Sequence, residues 1–270
     1  MTPGAGPPLR IGTAGWAIPR AVADAFPAEG SGLARYAARF GAAEINSSFH
    51  RPHRPATYAR WAESVPDDFR FSAKLPRPIT HERRLADIAA PLDAFLREVA
   101  ALGPKLAVLL VQLPPSLTFE PEVAARFLDT LRGQADALLP APIRLACEPR
   151  HPTWFSDEAD RLLADHRVAR VAADPARVPE AAEPGGWPGL TYHRLHGSPV
   201  IYRSAYGPDY LDALAARLAA RTAETWCIFD NTASGAAAAN ALALLDLTGA
   251  GSATPTGPSR SRPTCGSRTR

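Results

Sequence analysis

The chain has 270 residues, of which 46% are hydrophobic and 21% charged, a composition typical of a globular protein in water. This length fits one large domain and is sufficient to bury a full hydrophobic core. No run of eighteen apolar residues is present, so we expect no membrane-spanning helix.

The formal net charge of +3 comes from the end of the chain. From Leu247 onward there are four arginines and no acidic residue, and without them the remaining chain has a net charge of −1. A nearly neutral folded part argues against extended nucleic acid as a partner, because nucleic-acid-binding domains are usually basic.

The cysteines and the N-terminus predict a cytoplasmic protein. Cys147, Cys227 and Cys265 show no C-x-x-C spacing, and their odd number argues against a disulfide framework. We expect Cys147 and Cys227, which lie in apolar runs, to be core residues. The N-terminal sequence MTPGAGPPLR lacks the apolar core of a secretory signal.

Both ends of the chain are predicted to be disordered. Residues 1–8 and 247–270 are rich in Pro, Gly, Ser, Thr and Arg, and they offer little apolar surface to bury. We therefore expect one α/β domain over residues 9–246.

Eight apolar segments are predicted to be strands, and mostly helical patterns separate them. The segment from Leu106 is almost continuously apolar, as expected for a strand covered on both faces. The strands are expected in LRIGTAGW, AAEINSSF, FRFSAKLP, LAVLLVQLPP, IRLACEP, VARVAADP, LTYHRLHGSP and TWCIFDNT.

This alternation favours a parallel sheet closed into a TIM-type (β/α) barrel. Residues 175–189 contain too many prolines and glycines for a regular helix, so the barrel is expected to be irregular or seven-stranded near residues 174–190. No G-x-G-x-x-G follows any strand, which argues against an open dinucleotide-binding sheet.

The predicted strands all end in polar or aromatic side chains. In barrels of this type the active site lies at the carboxyl ends of the strands. The residues are Trp16, Glu44 with Asn46, Lys74, Gln112, Glu148 with Arg150, Asp174, Arg194 with His196, and Asp230 with Asn231.

Several of these residues, and Trp154 after the fifth strand, also have a purely structural interpretation. Glu44 and Glu148 can simply neutralise arginines, Asp174 can cap a turn, and Trp154 can be a packing residue. As a set they favour a ligand site, because burying many poorly paired charges costs several kcal/mol per group, roughly.

The same segments resemble, in the same order, the domain-of-unknown-function 72 (YecE-like) family. The resemblance covers about residues 9–245 and rests on GTAGW, EINSSF, FSAKLP with ITHERR, LLVQLPPSL, CEPRHPTWF, YHRLHG and CIFDNT. It implies a TIM-type barrel and no particular reaction. His50 stands where the family often has tyrosine, and the tail after Asp246 is unlike the usual end.

The first functional hypothesis is an enzyme that uses acid–base chemistry on a polar anionic small molecule. Two carboxylates in unlike surroundings can titrate at different pH values, one serving as acid and one as base. The predicted catalytic residues are Glu44, Glu148, His196 and Lys74. The predicted substrate-binding residues are Trp16, Asn46, His81, Gln112, Arg150, Trp154, Arg194, Asp230 and Asn231. Phosphate- or carboxylate-bearing ligands, including sugars and nucleotides, fit the arginines and lysine, and hydrolysis, elimination and isomerisation all remain open.

Two other hypotheses use the same residues differently. Glu148, Asp174, His196 and Asp230 offer oxygen and nitrogen ligands for a divalent metal, although their spacing matches no metal motif. Alternatively, the cationic and aromatic residues form a non-catalytic site for a ligand or a nucleic-acid strand.

Overall fold

A computed structural model describes residues 6–250 of the chain as a mixed α/β fold. The strands are β1 (Leu9–Thr13), β2 (Ala42–Ile45), β3 (Arg70–Lys74), β4 (Leu106–Gln112), β5 (Arg144–Glu148), β6 (Val168–Arg170), β7 (Ala172–Asp174), β8 (Gly185–Gly186), β9 (Leu190–Leu195) and β10 (Glu224–Phe229). The α-helices are α1 (Gly32–Ala37), α2 (Pro55–Glu63), α3 (Ala89–Val99), α4 (Pro121–Leu138), α5 (Asp157–Asp165), α6 (Pro208–Ala219) and α7 (Ala236–Thr248).

The strands form two sheets. One has four strands in the order β1-β10-β9-β7, and the other has six in the order β2-β3-β4-β5-β6-β8. All neighbours are parallel except β6 and β8. An isolated parallel bridge between Ala14 and Glu44 brings the β1 end of one sheet to the β2 end of the other. At their other ends, β6 and β7 follow one another in the chain and are separated only by Val171.

All eight predicted strands are present, and the sixth is divided into β6 and β7. Residues 175–189 contain no α-helix, as expected from their prolines and glycines. A short 3-10 helix, Pro179–Ala182, and the two-residue strand β8 occupy this segment instead. The antiparallel pairing of β8 with β6 is a feature that the sequence did not predict.

Local sequence signals set the helix starts. The Ser31 hydroxyl accepts a hydrogen bond from the backbone N–H of Ala34 and caps α1. Pro55 occupies the first position of α2, where a missing N–H has no cost. The apolar stripe of α3 is buried as its periodicity predicts, and the chain turns at Gly103 with φ 58°.

The strands are buried on both faces, and their residues alternate between two hydrophobic clusters. On β4, Leu109 and Val111 belong to the larger cluster with the helices, whereas Val108 and Leu110 belong to a smaller one. This smaller cluster, called the inner cluster below, draws residues from both sheets. Its members are Ala42, Val108, Leu110, Ala146, Ala169, Val171, Leu190, Tyr192, Trp226 and Ile228.

The ordered part of the chain extends slightly beyond the expected domain limits. Pro7 and Pro8 accept hydrogen bonds from Arg221 and Thr225, and α7 continues to Thr248. The expected disorder of residues 1–5 and 251–270 lies outside the described residues. Within 6–250, Cys147 and Cys227 are buried free thiols, and no helix is long and apolar enough to span a membrane.

We predict that Gly12→Ala destabilises the fold by about 1–3 kcal/mol, the usual cost of overpacking. A Cβ at Gly12 of β1 would lie 2.1 Å from the Ala42 carbonyl oxygen of β2, so the two strands would have to separate. Urea denaturation measures the change. Gly133→Ala is the control, because it adds a methyl group to the exposed face of α4 where nothing lies within 4 Å. This control should stabilise the helix by up to about 1 kcal/mol.

Candidate functional site

The alternation of side chains along the strands explains which polar residues meet. Residues two apart on a strand point to the same face. The face that carries the inner cluster therefore continues, two positions further along each strand, with a polar residue. This happens at the carboxyl ends of six strands. These residues are Glu44 after Ala42, Lys74 after Ser72, Gln112 after Leu110, Glu148 after Ala146, Arg194 after Tyr192 and Asp230 after Ile228.

Arg194 lies at the centre of this polar layer and is fully buried. Its Nε and Nη2 donate to the two carboxylate oxygens of Glu44 at 3.0 and 2.7 Å. Its Nη1 donates to Glu148 at 2.5 Å, and Nη2 also donates to Asp230 at 3.0 Å. One guanidinium thus contacts carboxylates from β2 and β5 of the six-stranded sheet and from the end of β10 in the other.

These contacts keep Glu148 ionised. Burial alone would raise the pKa of this carboxyl, but Arg194, His196 and Arg150 outweigh it and hold the pKa well below its usual value. The pKa of Asp230 is also lowered, since Arg194 and His196 outweigh the effect of burial. Glu44 receives a further hydrogen bond from the Tyr192 hydroxyl, at 3.0 Å.

His196 is held between two carboxylates. Its Nδ1 lies 3.0 Å from Asp230 Oδ2, and its Nε2 lies 3.1 Å from Glu148 Oε1. Burial lowers the pKa of this imidazole, but Glu148 and Asp230 more than compensate and the net pKa is raised. Because both ring nitrogens face acceptors, the geometry suits a protonated ring that donates to both.

Arg150 connects this buried layer to an open cavity of about 260 Å³. Its Nε and Nη2 lie 3.0 and 2.9 Å from Glu148 Oε1. His196, Ile201 and Tyr202 also line the cavity. The volume lies just below the usual range for ligand pockets, about 300–1,000 Å³.

Lys74 lies at the carboxyl end of β3, is not among the residues that line this cavity, and has no carboxylate partner in the described part of the chain. Among the described residues, no carboxylate oxygen is within 4.0 Å of its amine, which lies 3.9 Å from the Phe49 ring centroid. The side chain is 6% exposed. Burial and the nearby Arg194 lower the pKa of the amine to about 8, although Glu44, Glu148 and Asp230 oppose this shift.

His81 faces the same cationic groups. It lies on a π-helical turn, Pro78–Glu82, a rare element that is frequent at functional sites. Burial, followed by the charges of Lys74, Arg150 and Arg77, lowers the pKa of His81 to about 4. This histidine is therefore neutral near pH 7.

The structure places the remaining predicted binding residues in different surroundings. Gln112 is buried beside Glu148 in the sheet register, and Asn46 Oδ1 is buried without a hydrogen-bond partner. Trp16 is half-buried and packs edge-to-face on Trp61 with ring centroids 4.9 Å apart. These three residues remain near the strand ends, and their binding roles stay predictions.

Trp154, Asn231 and Asp174 have internal partners. Trp154 is 3% exposed and its indole N–H donates to the Leu117 carbonyl, which fits the packing role considered above. Asn231 is fully buried and donates to Ser204 and Asn240. Asp174 accepts a hydrogen bond from the Tyr206 hydroxyl at 2.8 Å.

The four proposed metal ligands do not converge on a common point. Glu148 and Asp230 direct oxygens at Arg194 and at both nitrogens of His196, whereas Asp174 is bonded to Tyr206. Within residues 6–250, no group of three or more His, Cys, Asp or Glu side chains is arranged to hold a metal ion.

Several site residues were missed by sequence reasoning. Tyr192 lies two positions before Arg194, so the alternation along β9 was a usable signal. Tyr202 was not predictable, because it lies in an irregular loop with φ 68° and its ring contacts His196 with centroids 5.8 Å apart. Phe49 belongs to the EINSSF motif, but nothing in the sequence indicates that its ring covers Lys74.

Comparisons with known proteins identify relatives of the chain. UPF0759 protein YecE from Escherichia coli K12 is 32% identical over 160 residues, which is 56% of this chain and 55% of that protein. The match therefore spans about half the length of this curated relative.

Solved structures resemble the whole fold. A DUF72 family protein from Enterococcus faecalis V583 has a TM-score of 0.73 and 21% identity, covering 89% of this chain and 95% of that one. A sugar phosphate isomerase/epimerase from Parabacteroides distasonis ATCC 8503 has a TM-score of 0.51 and 12% identity, covering 91% and 95%. At these identities the likeness concerns the fold alone.

A family model, protein of unknown function DUF72, matches residues 10–263. This span contains every strand of both sheets except the first residue of β1, and every residue of the buried Arg194 cluster. The chain belongs to the DUF72 family.

Proposed function

We infer that the protein is an enzyme that binds a small anionic molecule at the carboxyl ends of its strands and acts on it by proton transfer. The observation that carries this inference is the buried amine of Lys74, which has no carboxylate oxygen within 4.0 Å among the described residues. An anionic ligand would supply the missing partner.

Charge in the buried layer supports an anionic ligand. The three carboxylates of Glu44, Glu148 and Asp230 are matched by Arg194, Arg150 and a protonated His196. The ammonium of Lys74 is then in excess. A phosphate or carboxylate of the substrate would restore neutrality where the dielectric is low and the Coulomb interaction is strong.

The acid–base roles follow from the surroundings of each group. Glu148 is held ionised by its cationic neighbours, so it is better suited to stabilising positive charge than to donating a proton. Lys74 titrates at about pH 8 and His81 at about pH 4, so an ammonium acid and a neutral imidazole base coexist near pH 7. Glu44 is fully buried and positions Arg194, while His196 borders the cavity.

The fold that we propose for this enzyme is an irregular TIM-type barrel. The Ala14–Glu44 bridge at one junction and the short β6–β7 connection at the other bring the two sheets edge to edge. The inner cluster and the contacts of Arg194 join the two sheets across the interior. Barrel enzymes bind their substrates at the carboxyl ends of the strands.

Two alternative functions would require a different arrangement of side chains or a different binding behaviour. A metal-dependent hydrolase or isomerase would require Glu148 and Asp230 to release Arg194 and His196. A non-catalytic module would bind its ligand without turning it over, and for a nucleic-acid strand the affinity would fall steeply with salt.

Free buried thiols at Cys147 and Cys227 favour our further proposal of a cytoplasmic location.

We expect anions to raise the unfolding temperature, and Arg150→Met to abolish most of the increase. A ligand at 100 times its Kd adds about 2.7 kcal/mol, which at roughly 2–4 °C per kcal/mol is a shift of several degrees. Thermal unfolding with inorganic phosphate, sugar phosphates and small carboxylates measures it. Arg126→Met is the matched control, because this exposed arginine of α4 forms an ion pair with Glu122 on the same helix.

The same assay discriminates the rivals. A shift with manganese or zinc alone would favour the metal site, and a shift that survives Arg150→Met would place the anion elsewhere. Salt-sensitive binding of oligonucleotides with no effect of small anions would favour the nucleic-acid module.

We expect the stability contributed by His196 to decrease as the pH rises. Its raised pKa means that the folded state holds the proton more tightly than the unfolded chain. The advantage of wild type over His196→Gln should therefore be complete below about pH 6.5, the unperturbed value, and should decline as the pH rises through the folded pKa. Urea denaturation of both proteins from pH 5.5 to 9 measures the difference.

His193→Gln provides a control of opposite sign. Burial, then Arg217, lowers the pKa of His193 to about 4, so wild type should lose stability relative to this variant between about pH 6.5 and 4. Equal pH profiles for the two variants would contradict the charged state assigned to His196.

A further inference from the structure

The chain has only two lysines, Lys74 and Lys105, and they have opposite surroundings. Lys105 donates to the backbone carbonyls of Ala62 and Val65 at 2.8 and 2.7 Å, and Asp67 lies 3.6 Å away. Lys74 has no such partners among the described residues, and its amine lies against the Phe49 ring. An amine without hydrogen-bond acceptors, held against an aromatic ring at the carboxyl end of its strand, has the arrangement of a nucleophile.

Two neighbouring residues, His81 and Arg150, offer a neutral imidazole and a cationic group for the ligand. His81 also packs edge-to-face against Phe49, with ring centroids 4.9 Å apart, and its Nδ1 lies 2.8 Å from the Thr80 hydroxyl. The other ring nitrogen of this neutral imidazole has no protein partner in residues 6–250 and is free to exchange a proton. Arg150 offers a guanidinium to an anionic group of the same ligand.

We propose that Lys74 forms a covalent imine with the carbonyl carbon of a small anionic aldehyde or ketone. This proposal rests on the anionic-substrate function above and specifies its substrate class. The carbonyl group is the reacting centre, and the phosphate or carboxylate of the same molecule faces Arg150.

The step is balanced in atoms and charge. The Lys74 ammonium releases a proton to water, and the free amine attacks the carbonyl carbon to give a carbinolamine. Water returns a proton to the carbinolamine hydroxyl, the C–O bond breaks and water leaves. An ammonium and a carbonyl compound are thereby converted into an iminium ion and water, with no oxidant or reductant.

Burial favours this reaction at neutral pH. An amine with a pKa of about 8 is roughly one quarter unprotonated at pH 7.5, against about 0.1% for a lysine at the unperturbed value near 10.4. We therefore expect Lys74 to react at least tenfold faster than Lys105, whose ammonium is engaged by two carbonyl groups.

The test traps the imine on the wild-type protein. The full-length chain is incubated with pyruvate, glyoxylate or glyceraldehyde 3-phosphate and reduced with borohydride, and adducts are located by peptide mass spectrometry. Lys105 and the N-terminal amine are internal references in the same sample. Lactate and glycolate, which carry the anion without the carbonyl group, are matched ligand controls. Lys74→Arg keeps the charge and removes the nucleophile, and circular dichroism verifies its fold.

A reduced adduct on Lys74, at least tenfold above Lys105 and absent with lactate, would support the proposal. Equal labelling of the two lysines, or no adduct with any of the three carbonyl compounds, would overturn it. Thermal shifts separate this failure from that of the anion site. Pyruvate and lactate that stabilise the protein without an adduct would overturn the imine alone, whereas no shift with any anion would overturn both.

Discussion

The buried guanidinium of Arg194 is the interaction on which the site depends. It is fully inaccessible to water and contacts Glu44, Glu148 and Asp230, which come from different strands and from both sheets. Removing such charges from water costs several kcal/mol per ion, and close pairing is required to offset that cost. A hydrophobic group of similar volume would often be as stable at such a position, so stability alone is a poor explanation for the cluster.

The cluster divides the mouth into two electrostatic parts. On one side Glu148, Asp230 and His196 are locked in their charged forms by short contacts. On the other side, the Lys74 amine lies against the Phe49 ring and has no carboxylate within 4.0 Å among residues 6–250. Arg194 contributes to both parts, because it lowers the pKa values of Glu148 and Asp230 and is also the second cause of the lowered Lys74 pKa. Burial is the largest cause of the lowered Lys74 pKa, and Glu44, Glu148 and Asp230 oppose it.

Much of the fold could be predicted from the sequence, because each strand carries its own signal. Apolar runs that end in polar residues identified all eight predicted strands, and the prolines and glycines of residues 175–189 indicated the missing helix. The side-chain alternation along strands was also available, since Glu44, Lys74, Glu148 and Asp230 each follow an inward residue by two positions. The antiparallel β8 was not predictable, because two glycines carry no strand pattern.

Partners in space were harder to predict than positions in the chain. Glu44 and Glu148 were expected to act as a pair of carboxylates in unlike surroundings, yet the same guanidinium contacts both. Trp154 has the residue type of a stacking platform, but its indole N–H is bonded inside the core. Such outcomes depend on contacts between residues distant in sequence, such as Arg194 with Glu44, which no local pattern encodes.

Stability and reactivity are coupled in this arrangement because the same groups determine both. Glu44 holds Arg194 through two hydrogen bonds and accepts a third from Tyr192, which in turn is 2.7 Å from Ser72 on the strand of Lys74. The strand that carries Lys74 is therefore connected to the buried ion pairs through Ser72 and Tyr192. A change at Arg194 that left the fold intact would still alter the field at Lys74, so the protonation of the amine reports on the integrity of the cluster.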